Sequence, residues 1–248
     1  MKETFTHRDM AGTEFRDVNL QDAVFDDVNL RGVSIRNANL DGLTVDDAYI
    51  GGLTIYGVPI GPLIEAERDR RDPERVTLRA ADVFDPAEIA RILARLDAVR
   101  AEFVALMRAT PAEQRTAHPG VDRWSATEHV RHLVFAEDMY LNRGLLRNDA
   151  PWRGLGHLPP FLEGNPTYAT VGTAPTEDLE LIIATWDELY GGVRTLLTGA
   201  TPEVLSRDTS DVDVGQGTVG QVIQGMAQHD LEHIRMAEAA IRDCRGVA

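Results

Sequence analysis

Gln228-His229-Asp230-Leu231-Glu232-His233, near the C-terminus of a 248-residue chain, decides how its last two thirds are read. Val222, Met226, Ala237 and Ala240 recur around it at the spacing of one helical face, and both histidines fall on that stripe. Histidines four apart in a helix lie about one turn from each other, so both rings can point at a single cation. Imidazoles on an inward stripe are costly to desolvate without a partner, and a shared cation offsets that cost. The plainer alternative is a pair of hydrogen-bonded core histidines. Position 230 is Asp rather than the Glu of the zinc-protease pattern His-Glu-x-x-His, and Glu232 points elsewhere on the helix, so a peptidase of that type would lack its general base.

Working outward, Thr218-Val219-Gly220-Gln221 is a capping box that starts this helix. Three more helices are predicted upstream. Asp85-Pro86-Ala87-Glu88 opens the first, which runs to about Ala109 with Ile89, Ile92, Leu93, Leu96, Val99, Phe103 and Leu106 inward. Ser125-Ala126-Thr127-Glu128 opens the second, running towards Arg147; the third spans Thr176 to Leu197. Trp124, just before the second cap, packs over His129 as a hydrophobic staple, which gives His129 a structural explanation. The best-placed third imidazole is His132, and His132, His229 and His233 would leave one position of a tetrahedral ion open, as in a working site. Asn148 to Pro175 is a long Gly- and Pro-rich loop whose length favours a functional lid, with Trp152 and Phe161 as the candidate substrate contacts. A second irregular stretch runs from Gly199 to Gly217. Glu128, Asp138 and Asp230 all stand near the proposed ligands, and sequence does not say which reaches inward as a general base.

The first quarter follows a different rule. Every fifth residue from Phe5 (Met10, Phe15, Leu20, Phe25, Leu30, Ile35, Leu40, Val45, Ile50, Ile55, Ile60) is large and apolar. A period of five fits neither helix nor strand. Units such as Ala38-Asn39-Leu40-Asp41-Gly42 resemble the pentapeptide-repeat family. That resemblance implies a right-handed quadrilateral β-helix of about three coils, the apolar column stacked inside and each coil buried only against the next. Some relatives mimic DNA; so few coils, interrupted by Arg8, Arg16, Arg31 and Arg36, favour a structural or docking role instead.

The expected architecture is therefore α+β and multidomain: a β-helix over residues 1–60, a connector over 61–84 with a short helix stopped at Asp72-Pro73 and its charges on a solvated face, and an all-α four-helix bundle over 85–248. A net charge of -15 disfavours nucleic acid and membrane partners. The start of the chain lacks the apolar region of a signal peptide and no run is long enough to span a bilayer, so a cytoplasmic location is expected. Cys244 alone can form no internal disulfide and reads as inert.

Trp124-Ser125, then His132-Leu133 eight residues after the Trp, then His229-Asp230 and His233-Ile234 after a long gap, resemble the DinB superfamily of four-helix bundles from about Asp85 onward. The resemblance implies His132, His229 and His233 as metal ligands, zinc or nickel as the ion, and no ligand role for His129. Position 236 is Met where many relatives carry Gln. Among such relatives are thiol-dependent transferases using mycothiol or bacillithiol, a mycothiol-dependent isomerase and hydrolases. The implied function is metal-dependent activation of a low-molecular-weight thiol, mycothiol-like, or of water, against a small electrophile. The resemblance carries a homodimer as one state of assembly, and the competing class is a non-catalytic scaffold that docks through its repeats.

Overall fold

The computed structural model describes residues 4–25, 28–45, 48–120, 123–148, 150–174, 176–209 and 217–245. Parts of the repeat and of the second irregular stretch, in the latter residues 210–216, lie outside the described residues. The chain divides into two compact units, Met1–Leu43 and Thr44–Ala248.

In the first unit the turns come every ten residues, one per pair of pentapeptides. Thr13, Ala23, Val33 and Leu43 donate their backbone N–H to the carbonyls of Met10, Leu20, Leu30 and Leu40 at 3.0–3.1 Å. Each turn is prepared by a side chain: Asp9, Asn19, Asn29 and Asn39 accept from the N–H two residues on, at 2.9–3.0 Å. The third turn position has positive φ, at Gly12, Asp22, Gly32 and Gly42. The expected β-helix is not shown among the described residues. No strand precedes residue 54, and the column expected inside lies exposed, Phe5 at 61%, Phe15 at 55% and Leu40 at 47%. The repeat sets where the turns fall, one to every two units, whereas burial of the column depends on contact between coils.

The second unit opens with a hairpin, β1 (Thr54–Ile55) antiparallel to β2 (Val58–Pro59), whose turn residues Tyr56 and Gly57 both have positive φ, as a two-residue hairpin loop requires. The rest is helical. α1 (Gly61–Arg71) stops at Asp72, whose side chain accepts from Glu74 N–H at 3.2 Å and so caps α2 (Pro73–Ala80). These two helices occupy the expected connector, but they are built into the unit rather than solvated. Leu78 is buried, Gln224 donates to the Leu78 and Ala81 carbonyls at 3.0 and 3.3 Å, Arg235 bonds Asp72 at 2.8 Å, and Arg68 pairs with Glu232.

Six helices follow among the described residues, where four were expected. α3 (Pro86–Ala109) starts on Asp85, and its stripe from Ile89 to Phe103 is buried as anticipated, with Met107 added. After the short α4 (Ala112–Thr116), α5 (Ala126–Glu137) starts on the Ser125–Glu128 capping box but does not continue as an α-helix towards Arg147. It passes into a π-helical segment, Asp138–Leu145, in which Leu146 N–H reaches the Leu141 carbonyl at 2.9 Å. α6 (Leu179–Leu197) begins three residues later than read from sequence, because Asp178 is the residue that satisfies the free N–H groups of Glu180 and Leu181. α7 (Pro202–Leu205) is a single turn, and α8 (Val219–Asp243) carries the Thr218–Gln221 capping box.

The long helices α3, α5, α6 and α8 share one apolar core, with Trp186, Tyr190, Phe103 and Leu133 among its fully buried members. α8 enters it so closely that a Cβ placed on Gly220 would stand 2.0 Å from the Val83 carbonyl oxygen. No helix of the described residues is long and apolar enough to cross a membrane.

Candidate metal centre

The site sits where α5 and α8 pack together. The capping box fixes the start of α5, so His129 and His132 fall one turn apart on the face turned to α8; on α8 the four-residue step does the same for His229 and His233. The structure brings His132, His229 and His233 together, with one ring nitrogen of each lying within 4.8 Å of the others. Ring centroids are 5.4 Å apart for His132 and His229, 4.5 Å for His132 and His233, and 4.4 Å for His229 and His233.

Hydrogen bonds decide which nitrogens remain free. His132 Nδ1 lies 3.1 Å from the His157 carbonyl oxygen, which only accepts, so Nδ1 carries the proton and Nε2 keeps its lone pair. His233 Nδ1 lies 3.0 Å from His129 Nδ1. One of the two donates, and if His233 is the donor its Nε2 is likewise free. Nδ1 of His229 is buried with no hydrogen-bond partner. His129 thus does more than fill the staple position: it holds a ligand ring from the neighbouring helix. That role leaves no trace in local spacing, because its partner lies 104 residues away.

Burial pushes the His129 imidazole down to about 4, His132 to about 3 with help from His229, and His229 to about 4; His233 is lowered by burial and by the neighbouring rings. All four are neutral at pH 7, the form in which imidazole binds a metal. Trp124 lines the cluster, its ring 5.4 Å from His129, 4.9 Å from His132, 4.8 Å from His157 and 6.0 Å from His233. It packs on His129 as expected and covers the other rings as well.

His157 is the residue that sequence reading passed over. Its N–H donates to the Arg131 carbonyl at 3.1 Å while its own carbonyl receives His132, and Arg131 reaches back to the Leu155 and Gly156 carbonyls at 2.9 and 3.2 Å. The long loop is thereby latched to α5 beside the cluster. Trp152 packs against Phe135 (5.6 Å) and Tyr168 (5.1 Å), with the Arg143 guanidinium 3.8 Å over its ring. Phe161 stands 69% exposed on a short 3-10 turn, Pro160–Leu162.

The three carboxylate candidates for a general base are each engaged elsewhere. Glu128 closes the capping box at 2.8 Å from Ser125 N–H. Asp138 accepts from Asn142 at 2.7 Å and from Arg153 N–H at 3.1 Å. Asp230 is fully buried beside Glu137.

A DinB superfamily model matches residues 95–237, more than half of the chain, including all three histidines. The chain belongs to the DinB superfamily. A pentapeptide-repeat model matches residues 7–48 in eight copies, so this DinB protein carries a repeat segment ahead of its helical unit. No curated protein and no solved structure matches it. The neutral three-imidazole donor set of this DinB chain, His132 buried and His229 and His233 half-buried, fits a divalent metal.

Proposed function

We propose that this DinB protein is a divalent-metal-dependent enzyme in which His132, His229 and His233 hold zinc or nickel. The long helices α3, α5, α6 and α8 would act as the four-helix bundle of the family. The observation that carries this reading is the convergence of three ring nitrogens within 4.8 Å, on rings that burial keeps neutral. A bound divalent ion supplies Lewis acidity, which makes an anionic thiol or hydroxide nucleophile accessible near neutral pH. The chain's own residues prepare the place. His157 and His129 orient His132 and His233, Trp124 shields the rings from water, and no free carboxylate competes for the site. The substrates in this reading are a low-molecular-weight thiol, mycothiol-like, or water, and a small electrophile; the setting is cytoplasmic, and the assembly a homodimer.

Metal analysis of the purified protein, followed by thiol loss against candidate electrophiles, tests it. About one metal ion per chain is expected, lost in His132→Ala and His233→Ala together with any turnover. Uptake indifferent to both substitutions removes the proposal. A second reading, a metal-bearing scaffold that docks through its repeats, is favoured by the exposed apolar column of Phe15, Leu20, Phe25 and Leu30. Stoichiometric metal without turnover of any thiol or water substrate supports it.

A further inference from the structure

A cavity of about 250 Å³ opens between α2 and α8, lined by Arg75 and Arg79 from α2 and by Gly225, Gln228, His229 and Glu232 from α8. It shares His229 with the candidate metal centre, so a molecule lying in it touches one of the ligand rings. The charges that face this space are matched: Glu232 is bonded to Arg68, and the two guanidiniums meet Glu65 and Asp69. Arg75 pairs with Glu65 at 2.6 Å through its terminal nitrogen, while its buried Nε stands 3.5 Å from Asp69 and makes no hydrogen bond. Arg79 pairs with the same Asp69 and stays half exposed. The guanidinium N–H donors left over from these pairs, beside the His229 imidazole and the Gln228 amide, suit a carboxylate, which guanidinium forks bind with charge-assisted hydrogen bonds. The volume lies a little below the range of drug-sized sites, so the occupant is small.

We propose that Arg75 and Arg79 form the anion-binding part of the active site, seating the carboxylate of a small thiol or electrophile in the α2–α8 cavity against His229. This rests on the metal-centre reading for its catalytic meaning. Specificity would then come from helix α2, which lies ahead of the matched residues 95–237.

Calorimetric titration decides it with three probes: N-acetylcysteine, its neutral amide, and N-acetylalanine, which keeps the carboxylate and lacks the sulfur. Metal content is measured on every sample. N-acetylalanine is expected to bind the full-length protein with or without metal, and to lose about tenfold in affinity in Arg75→Gln and in Arg79→Gln, the size of one charge-assisted hydrogen bond. Gly225→Leu is the control for folding. A Cβ there meets nothing within 4 Å, so leucine extends into the cavity, and leucine is a better helix former than glycine. It should abolish probe binding and leave metal content unchanged. Tighter binding of N-acetylcysteine than N-acetylalanine to the metal-loaded protein assigns the carboxylate to the thiol; equal binding assigns it to the electrophile. The proposal is overturned if the neutral amide binds as well as N-acetylcysteine, or if Gly225→Leu leaves N-acetylalanine binding intact. Wild-type protein that takes up no metal yet binds N-acetylalanine through the arginines sinks the metal-centre reading and keeps the anion site.

Discussion

Replacing His129 by Phe separates the role of a ligand from that of a residue that holds a ligand. The substitution keeps an aromatic ring for Trp124, which lies 5.4 Å from the His129 ring, and removes the 3.0 Å contact with His233 Nδ1. His233 would then carry an unpartnered Nδ1 in a buried setting and lose the bond that fixes its tautomer. Partners of this kind are worth about 10–100-fold in metal affinity, or about 1.4–2.7 kcal/mol. Zinc competition against a chromophoric chelator should therefore show a drop of that size for His129→Phe and a much larger one for His132→Ala, which removes a donor outright. His129→Gln, whose amide can still bond to His233, should recover part of the loss. Two results refute the reasoning: unchanged affinity in His129→Phe, which would make the contact idle, or a loss equal to that of His132→Ala, which would make His129 a ligand.

Three further outcomes follow from the same coordinates. Gly220→Ala should destabilise by about 3 kcal/mol or more, since its Cβ would stand 2.0 Å from a backbone oxygen that cannot step aside; a change under about 1 kcal/mol by denaturant unfolding would contradict the close packing of α8 on Val83. The metal-free protein should weaken as pH falls below 6.5. Rings held at about 4 in His129 and His229, and at about 3 in His132, bind fewer protons folded than unfolded, so their stability is present above 6.5 and lost on the way down to those values, up to about 2 kcal/mol per ring at pH 5. Asp230, raised to about 6, acts in the opposite sense and offsets part of this, and an unfolding midpoint that does not move between pH 7 and 5 would count against neutral buried imidazoles. Arg131→Ala removes both bonds to the Leu155 and Gly156 carbonyls and should speed limited proteolysis between residues 150 and 172, with a loss of metal affinity of a few fold through His132; an unchanged cleavage rate would show that the aromatic contacts of Trp152 hold the loop alone.

What could be read in advance was whatever repeats locally. Capping boxes at Ser125 and Thr218 start α5 and α8 where expected, and the four-residue step then places His229 and His233 on one face. His132 needed more than spacing, and the family pattern supplied it. The repeat period was legible, but the burial of its apolar column was not, because that depends on contacts between coils rather than on order along the chain. The helices of the connector gave the same difficulty. Their charges looked like a solvated face, yet Arg68 meets Glu232 and Asp72 meets Arg235, pairs 164 and 163 residues apart that leave no periodic trace.

Asp230 shows how far a neighbour in sequence can stand from the chemistry beside it. One residue along α8 turns the side chain by about 100°, so Asp230 leaves the imidazole face and enters the core with Glu137, Trp186 and Tyr190. Burial raises both carboxyls, and the neighbouring Asp230 adds to the rise of Glu137, which stands well above its ordinary range. Arg100 lies over the rings of Trp186 and Tyr190 at 4.0 and 3.8 Å and supplies one positive charge. One proton left on the acid pair makes the group neutral in sum, which is the arrangement a dry interior tolerates best. An acid fully buried in that core is closed off from a substrate proton. On the proposed metal-dependent reading, ionisation of the nucleophile would then be promoted by the cation that three neutral imidazoles are suited to hold.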